Sequence, residues 1–172
     1  MIQVVVGALH TQEVSAIVRP IRSDLDPVSA LSRDVSTAAG PELEERLAQI
    51  GTLPVGGAVM TPGGALAADF VIHAVVMSEE EPQTAHTVQR ALRNGLRRAS
   101  DWAVESLALP PLGIGVGTVQ AEDSARSLVE VLFNHLDEGR PPLALTVVVT
   151  SEYEAGLFER LVDELSAHRA RD

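Results

Sequence analysis

The chain has 172 residues, 45% of them hydrophobic, and a formal net charge of -11 at pH 7. That size suits a single domain, residues 1–172, with a sizeable core, and no uncharged apolar run is long enough to span a membrane. The acidic excess disfavours nucleic acid as a partner, while the lack of cysteine and of lysine excludes disulfides, thiolate nucleophiles, Schiff-base chemistry and a Walker A lysine.

The N-terminus, MIQVVVGALH, has no basic region and no small-residue cleavage site, which points to a cytoplasmic protein that opens on a strand. Short Val- and Ile-rich runs predict strands at Ile2–Val6 and Val14–Val18. Helices follow at Pro27–Ala38 and Pro41–Ile50, divided by Gly40-Pro41, which stops one and starts the other. Strands are expected at Gly57–Thr61 and Phe70–Val76, with Thr61-Pro62-Gly63-Gly64 turning the chain between them. After the polar loop Ser78–Gln83, Thr84–Ala103 repeats Val88, Ala91, Leu92, Gly95, Leu96, Ala99 and Trp102 at helical spacing. A strand at Ser106–Leu109, a helix at Glu122–Leu136, a strand at Leu143–Val149 and a helix at Glu154–Leu165 complete the pattern, and His168–Asp172 is expected to fray. The later alternation of strands and helices implies a largely parallel sheet covered on both faces.

The stretch LPPLGIGVGTVQA, Leu109 to Ala121, leads an apolar strand through Gly113, Gly115 and Gly117 into an amphipathic helix. Backbone N–H groups free of side chains can close on a phosphate, and a following helix adds the positive end of its dipole. A tight structural turn explains the same glycines equally well.

In this order and at this spacing, the segments IQVVVG (Ile2–Gly7), VSAIV (Val14–Val18), AAGPEL (Ala38–Leu43), VGGAVMTPGGAL (Val55–Leu66), FVIHAVV (Phe70–Val76) and LPPLGIGVG (Leu109–Gly117) resemble the macro domain, above all its compact bacterial members. The resemblance implies a three-layer α/β/α domain with a mixed six-stranded sheet and its first strand antiparallel at an edge. It also implies a ligand of the ADP-ribose class. Ala8 stands where the family has an Asp that accepts from the adenine amino group. Arg19-Pro20-Ile21-Arg22 stands in place of Asn-Ala-Ala-Asn, whose asparagines hold the distal ribose and support hydrolysis in active members. Val28-Ser29-Ala30-Leu31 replaces a glycine-rich loop. Gly113-Ile114-Gly115-Val116-Gly117 keeps the form of the diphosphate loop, with Gly117 in place of an aromatic.

The candidate ligand contacts are therefore Ala8, Arg19, Arg22, Val28, Gly113, Ile114, Gly115, Val116 and Gly117. No catalytic residue, metal ligand or cofactor is assigned. Read from the sequence, Arg19 and Arg22 are expected to pair with Asp24 and Asp26 at the surface, and His73 to be a hydrogen-bonded core imidazole. His10, His86, His135 and His168 lack metal-ligand spacing, and Arg90, Arg93, Arg97 and Arg98 form a solvated helix face. Trp102 and Tyr153 fall at helical core or cap positions. The expected function is a noncatalytic binding module for ADP-ribose-related or other phosphate-bearing nucleotides, with weakened adenine and distal-ribose recognition. The alternatives are a scaffold without ligand, self-associating as a homo-oligomer, and a hydrolase of ADP-ribose derivatives.

Overall fold

A computed structural model describes residues 1–113 and 121–172. Its strands are β1 (Ile2–Val6), β2 (Ala16–Arg22), β3 (Ala58–Pro62), β4 (Phe70–Met77), β5 (Ser106–Leu109) and β6 (Ala144–Val149). The helices are α1 (Ala30–Ala39), α2 (Pro41–Ile50), α3 (Ala85–Asp101), α4 (Ala121–Asp137) and α5 (Glu152–Arg169). The six strands form one mixed sheet in the order β1-β6-β5-β2-β4-β3.

Strand direction follows from the length of the connections. Residues 63–69 join β3 to β4, too short a link to carry the chain back along the sheet, so β3 pairs antiparallel with β4 and Thr61 lies opposite Val71. Residues 7–15 can reach roughly 30 Å when extended. They cross one face of the sheet through the short turn Leu9–Thr11, with Leu9 buried beneath, and let β1 run parallel to β6 with Val6 opposite Val149. The first strand thus lies at an edge as expected but is parallel, not antiparallel; the antiparallel strand is β3, at the opposite edge.

Alternation along the central strands divides the core. Val18, Ile72, Ala74, Leu107 and Val147 pack with Leu92, Leu96, Leu128, Leu132 and Phe158 from α3, α4 and α5. Ile17, Ile21, Val71, Val75 and Val148 face Val35, Leu43 and Leu47 of α1 and α2. Burying a side chain such as Leu132 or Phe158 in these layers contributes about 1.5–3 kcal/mol.

Helix ends follow local chemistry. Ser29 caps α1 by accepting from the Ser32 N–H, Thr84 and Thr87 form a reciprocal capping box on α3, and Ser151 caps α5 by accepting from the Glu154 N–H. Trp102 is the C-cap of α3 and is 68% exposed, with its ring tilted against Phe70, while Tyr153 is exposed in the first turn of α5. The larger departure from the sequence reading is β2, which extends through Arg19-Pro20-Ile21-Arg22 where the pattern ended a strand at Val18. Propensity argues against Arg and Pro inside a central strand, but the buried partners Ser32 and His73 of Arg19 override it.

Candidate functional site

The sheet has a topological switch between β2 and β5. From β2 the chain passes through α1 and α2 toward β3 and β4, whereas β5 leads through α4 the other way, to β6. Such switch points leave a crevice at the carboxyl ends of the strands. A cleft of about 250 Å³ lies there, walled by Val28, Ser29 and Leu31 on one side and Pro110 to Gly113 on the other. Pro20, Gln83, Thr150 and Glu154 complete the wall.

Three helix starts meet at this cleft. Ser29 is the N-cap of α1, Gln83 precedes the N-cap of α3, and Thr150 and Glu154 flank the N-cap of α5. Their dipoles favour an anion, though Glu154 already supplies one at α5. Its Oε1 accepts from the Thr150 N–H at 3.3 Å and hydroxyl at 2.9 Å. An incoming phosphate is therefore better placed toward α1 and α3 than toward α5. Gly113 closes the floor with φ +82°, a left-handed conformation, and a Cβ there would sit 3.2 Å from Val88 Cγ2.

The expected site residues divide among several places. Val28 and Gly113 line the cleft, whereas Ile114, Gly115, Val116 and Gly117 lie outside the described residues. Ala8 follows edge strand β1, where its carbonyl accepts from the Thr11 hydroxyl and the Gln12 amide. Arg22 is a surface residue as expected, 3.7 Å from Asp24 and 3.9 Å from Glu79.

Arg19 contradicts the surface reading. It is fully buried beneath α1, and its ion-pair partner is Glu44, not Asp24 or Asp26. Strand alternation puts its side chain on the α1 and α2 face along with Ile17 and Ile21. There Nε donates to the Ser32 carbonyl and hydroxyl at 2.9 and 3.0 Å, and Nη2 donates to Glu44 Oε1 at 3.2 Å. Burial lowers the guanidinium pKa, and pairing with Glu44 opposes that shift. Nη1 lies 3.4 Å from His73 Nδ1, which must accept because a guanidinium only donates. His73 Nε2–H then donates to Thr61 Oγ1 at 2.9 Å. Burial, with the Arg19 charge adding to it, lowers the His73 pKa to about 3. His73 is a core imidazole held neutral, and it does not line the cleft.

The Macro domain family model matches residues 18–128. The chain belongs to the macro domain family. Among the relatives of this macro domain, an Enterobacter sp. (strain 638) protein named O-acetyl-ADP-ribose deacetylase is 33% identical over 167 residues, covering 94% of this chain and 93% of that protein. An Aquifex aeolicus protein of unassigned function is 33% identical over 130 residues, 75% of this chain and 79% of its own length. A mutant Oceanobacillus iheyensis macrodomain solved with ADPR aligns at a TM-score of 0.83 and 22% identity, over 95% of this chain and 92% of the other.

Pro20, Ser29, Leu31, Gln83, Pro110, Pro111, Leu112, Thr150 and Glu154 are cleft residues that sequence reasoning did not select. Most of them sit where a parallel strand ends or its following helix begins, a positional signal that the order of strands and helices along the chain already carries.

Proposed function

We propose that this macro domain is a noncatalytic binding module for a phosphate-bearing nucleotide of the ADP-ribose class. The observation that carries the reading is the cleft at the β2–β5 switch, lined by Val28, Ser29 and Gly113 and faced by helix N-termini. The Oceanobacillus iheyensis macrodomain solved with ADPR supports the same ligand class. Adenine selectivity is weakened: Ala8 offers no side-chain acceptor, and a hydrogen bond to a charged group contributes about 1.5–3 kcal/mol.

The noncatalytic part of the reading rests on what replaces the hydrolytic asparagines. Arg19 is engaged by Ser32, Glu44 and His73 beneath α1 and Arg22 by surface ion pairs, and neither side chain lines the cleft where it could orient a water. Glu154 is the ionisable side chain among the described cleft residues, and one of its oxygens is held by Thr150.

The name of the Enterobacter relative favours a second reading, hydrolysis of O-acetyl-ADP-ribose. Calorimetric titration with ADP-ribose, with ADP and inorganic phosphate as controls, tests the first reading; acetate release from O-acetyl-ADP-ribose tests the second. The expected result is heat with ADP-ribose, lost in Val28→Trp, whose ring fills the cleft, and no acetate release. Silence for every nucleotide would refute the binding reading, and turnover would replace it with the second.

A further inference from the structure

A second cavity lies at the other end of the molecule, between the carboxyl-terminal halves of α3 and α4. It has a volume of about 190 Å³, and the two helices reach it as they return toward the amino ends of the strands. Leu96 and Val131 form an apolar floor, while Arg93, Arg97 and Arg140 supply guanidinium groups. Glu138 is the carboxylate in this wall, and Ser100, Asn134 and His135 provide the remaining polar groups.

Seven of the thirteen arginines are paired with acids. Arg19, Arg22, Arg46, Arg126, Arg140, Arg160 and Arg169 each lie within 4.0 Å of a carboxylate. Like Arg33, Arg90, Arg98 and Arg171, the cavity-lining Arg93 and Arg97 have no such partner among the described residues, although the chain carries 24 acidic residues for 13 basic ones. They stand one helical turn apart on α3, whose sequence AHTVQRALRNGLRRASD contains one acid, the terminal Asp101. Asp101 is engaged by Arg140 at 3.3 Å.

Three polar groups of the groove are already occupied by the protein. The Ser100 hydroxyl donates to the Pro141 carbonyl, and Asn134 Oδ1 accepts from Arg169 at 2.7 Å. His135 Nε2 donates to the Pro142 carbonyl at 3.0 Å, which fixes the ring against the cavity wall. The guanidinium groups of Arg93 and Arg97 are thus the unengaged donors. The carboxyl ends of α3 and α4 bring partial negative charge to this end of the molecule, and Arg97 and Arg98 in the last turns of α3 offset it. Arg93, more than two turns from that end, exceeds what the dipole calls for.

We propose that this α3–α4 groove is a second ligand site, for a small phosphomonoester. The planar forks of Arg93 and Arg97 match phosphate oxygens, Arg140 closes the opposite wall, and the Leu96–Val131 floor takes a short carbon chain. Local guanidinium contacts overcome the repulsion of an acidic protein because they act within hydrogen-bond range, whereas the overall field is screened beyond about 8 Å at physiological salt.

The test is a titration of the full chain with inorganic phosphate and then glycerol phosphate, read from backbone amide NMR shifts, in the presence of saturating ADP-ribose. Shifts confined to Arg93, Arg97, Ser100, Asn134 and Arg140 are expected, tighter for glycerol phosphate than for phosphate. Affinity should fall at least about tenfold in the Arg93→Gln, Arg97→Gln double variant, with its melting temperature unchanged because both side chains are exposed. Absence of shifts at these residues overturns the proposal, as does a response that survives in the double variant. So does a face that instead holds a second acidic copy of the chain, seen as an arginine-dependent dimer without any phosphate response.

Discussion

Replacing Arg19 by Ala removes a fully buried side chain that holds together β2, α1, α2 and β4. Truncation strands His73 Nδ1, which accepts from Nη1 at 3.4 Å, and takes from the Ser32 carbonyl its bond from Nε at 2.9 Å, although that carbonyl keeps its place in the hydrogen-bond ladder of α1. A buried group left without its partner costs about 1–3 kcal/mol. The Ser32 hydroxyl keeps its bond to the Pro20 carbonyl at 2.7 Å, and Glu44, with its side chain 47% exposed, returns to water, so its pairing adds about 1 kcal/mol at most. With the space left behind, the expected loss is about 3–5 kcal/mol, or roughly 6–20 °C in melting temperature for a domain of this size. Arg19→Met fills the space and should lose about half as much. Urea unfolding and calorimetric melting read the stability, and ADP-ribose titration of Arg19→Met reads the site. Affinity in that variant should match the parent, because the guanidinium is buried against Ser32, Glu44 and His73 and does not line the cleft. A loss below about 1 kcal/mol in Arg19→Ala would refute the buried cluster. A tenfold affinity loss at unchanged stability would put the guanidinium in the cleft.

His73 gives the fold an acid sensitivity. Its folded pKa of about 3 lies below the ordinary value of 6.5, so the unfolded chain takes up the proton more readily. The neutral imidazole's contribution is complete above pH 6.5 and is lost as pH falls from there toward 3, by about 1.4 kcal/mol per pH unit. Urea unfolding at pH 7 and pH 5 should show roughly 2 kcal/mol of this loss in the parent and not in His73→Gln; identical pH dependence in both would refute it. Gly63→Ala should destabilise by more than about 2 kcal/mol, because a Cβ there would collide with the Ala68 carbonyl oxygen in the turn that makes β3 antiparallel. A melting temperature equal to the parent's would show that this turn has room to relax.

Most of the fold was legible in the residues themselves. Period-2 runs such as Ile2–Val6 and Ser106–Leu109 coincide with β1 and β5, and the 3.6-residue spacing of Ala91, Leu92, Gly95, Leu96 and Ala99 selects the buried face of α3. Gly40-Pro41 divides α1 from α2 because glycine tolerates the φ of 90° there and proline has no N–H to lose at the first turn of a helix. These features are local, and local sterics and hydrophobic periodicity suffice to specify them.

What the sequence left open concerns partners distant in the chain. Whether β1 is parallel or antiparallel depends on how residues 7–15 cross the sheet, and periodicity carries no direction. The Val28, Ser29 and Leu31 wall meets Pro110 to Gly113 because the chain reverses its order of strands between β2 and β5. Arg19 was the least legible residue: within VSAIVRPIRSDLD its neighbours Asp24 and Asp26 suggest a surface pair. Only the tertiary structure supplies the buried Ser32 and His73 groups and the partly exposed Glu44 that outcompete them. The sequence by itself determined the elements and the family, since those depend on short-range patterns. The folded chain decided which side of the sheet each polar residue serves, because a charge is buried only where distant segments bring it hydrogen bonds.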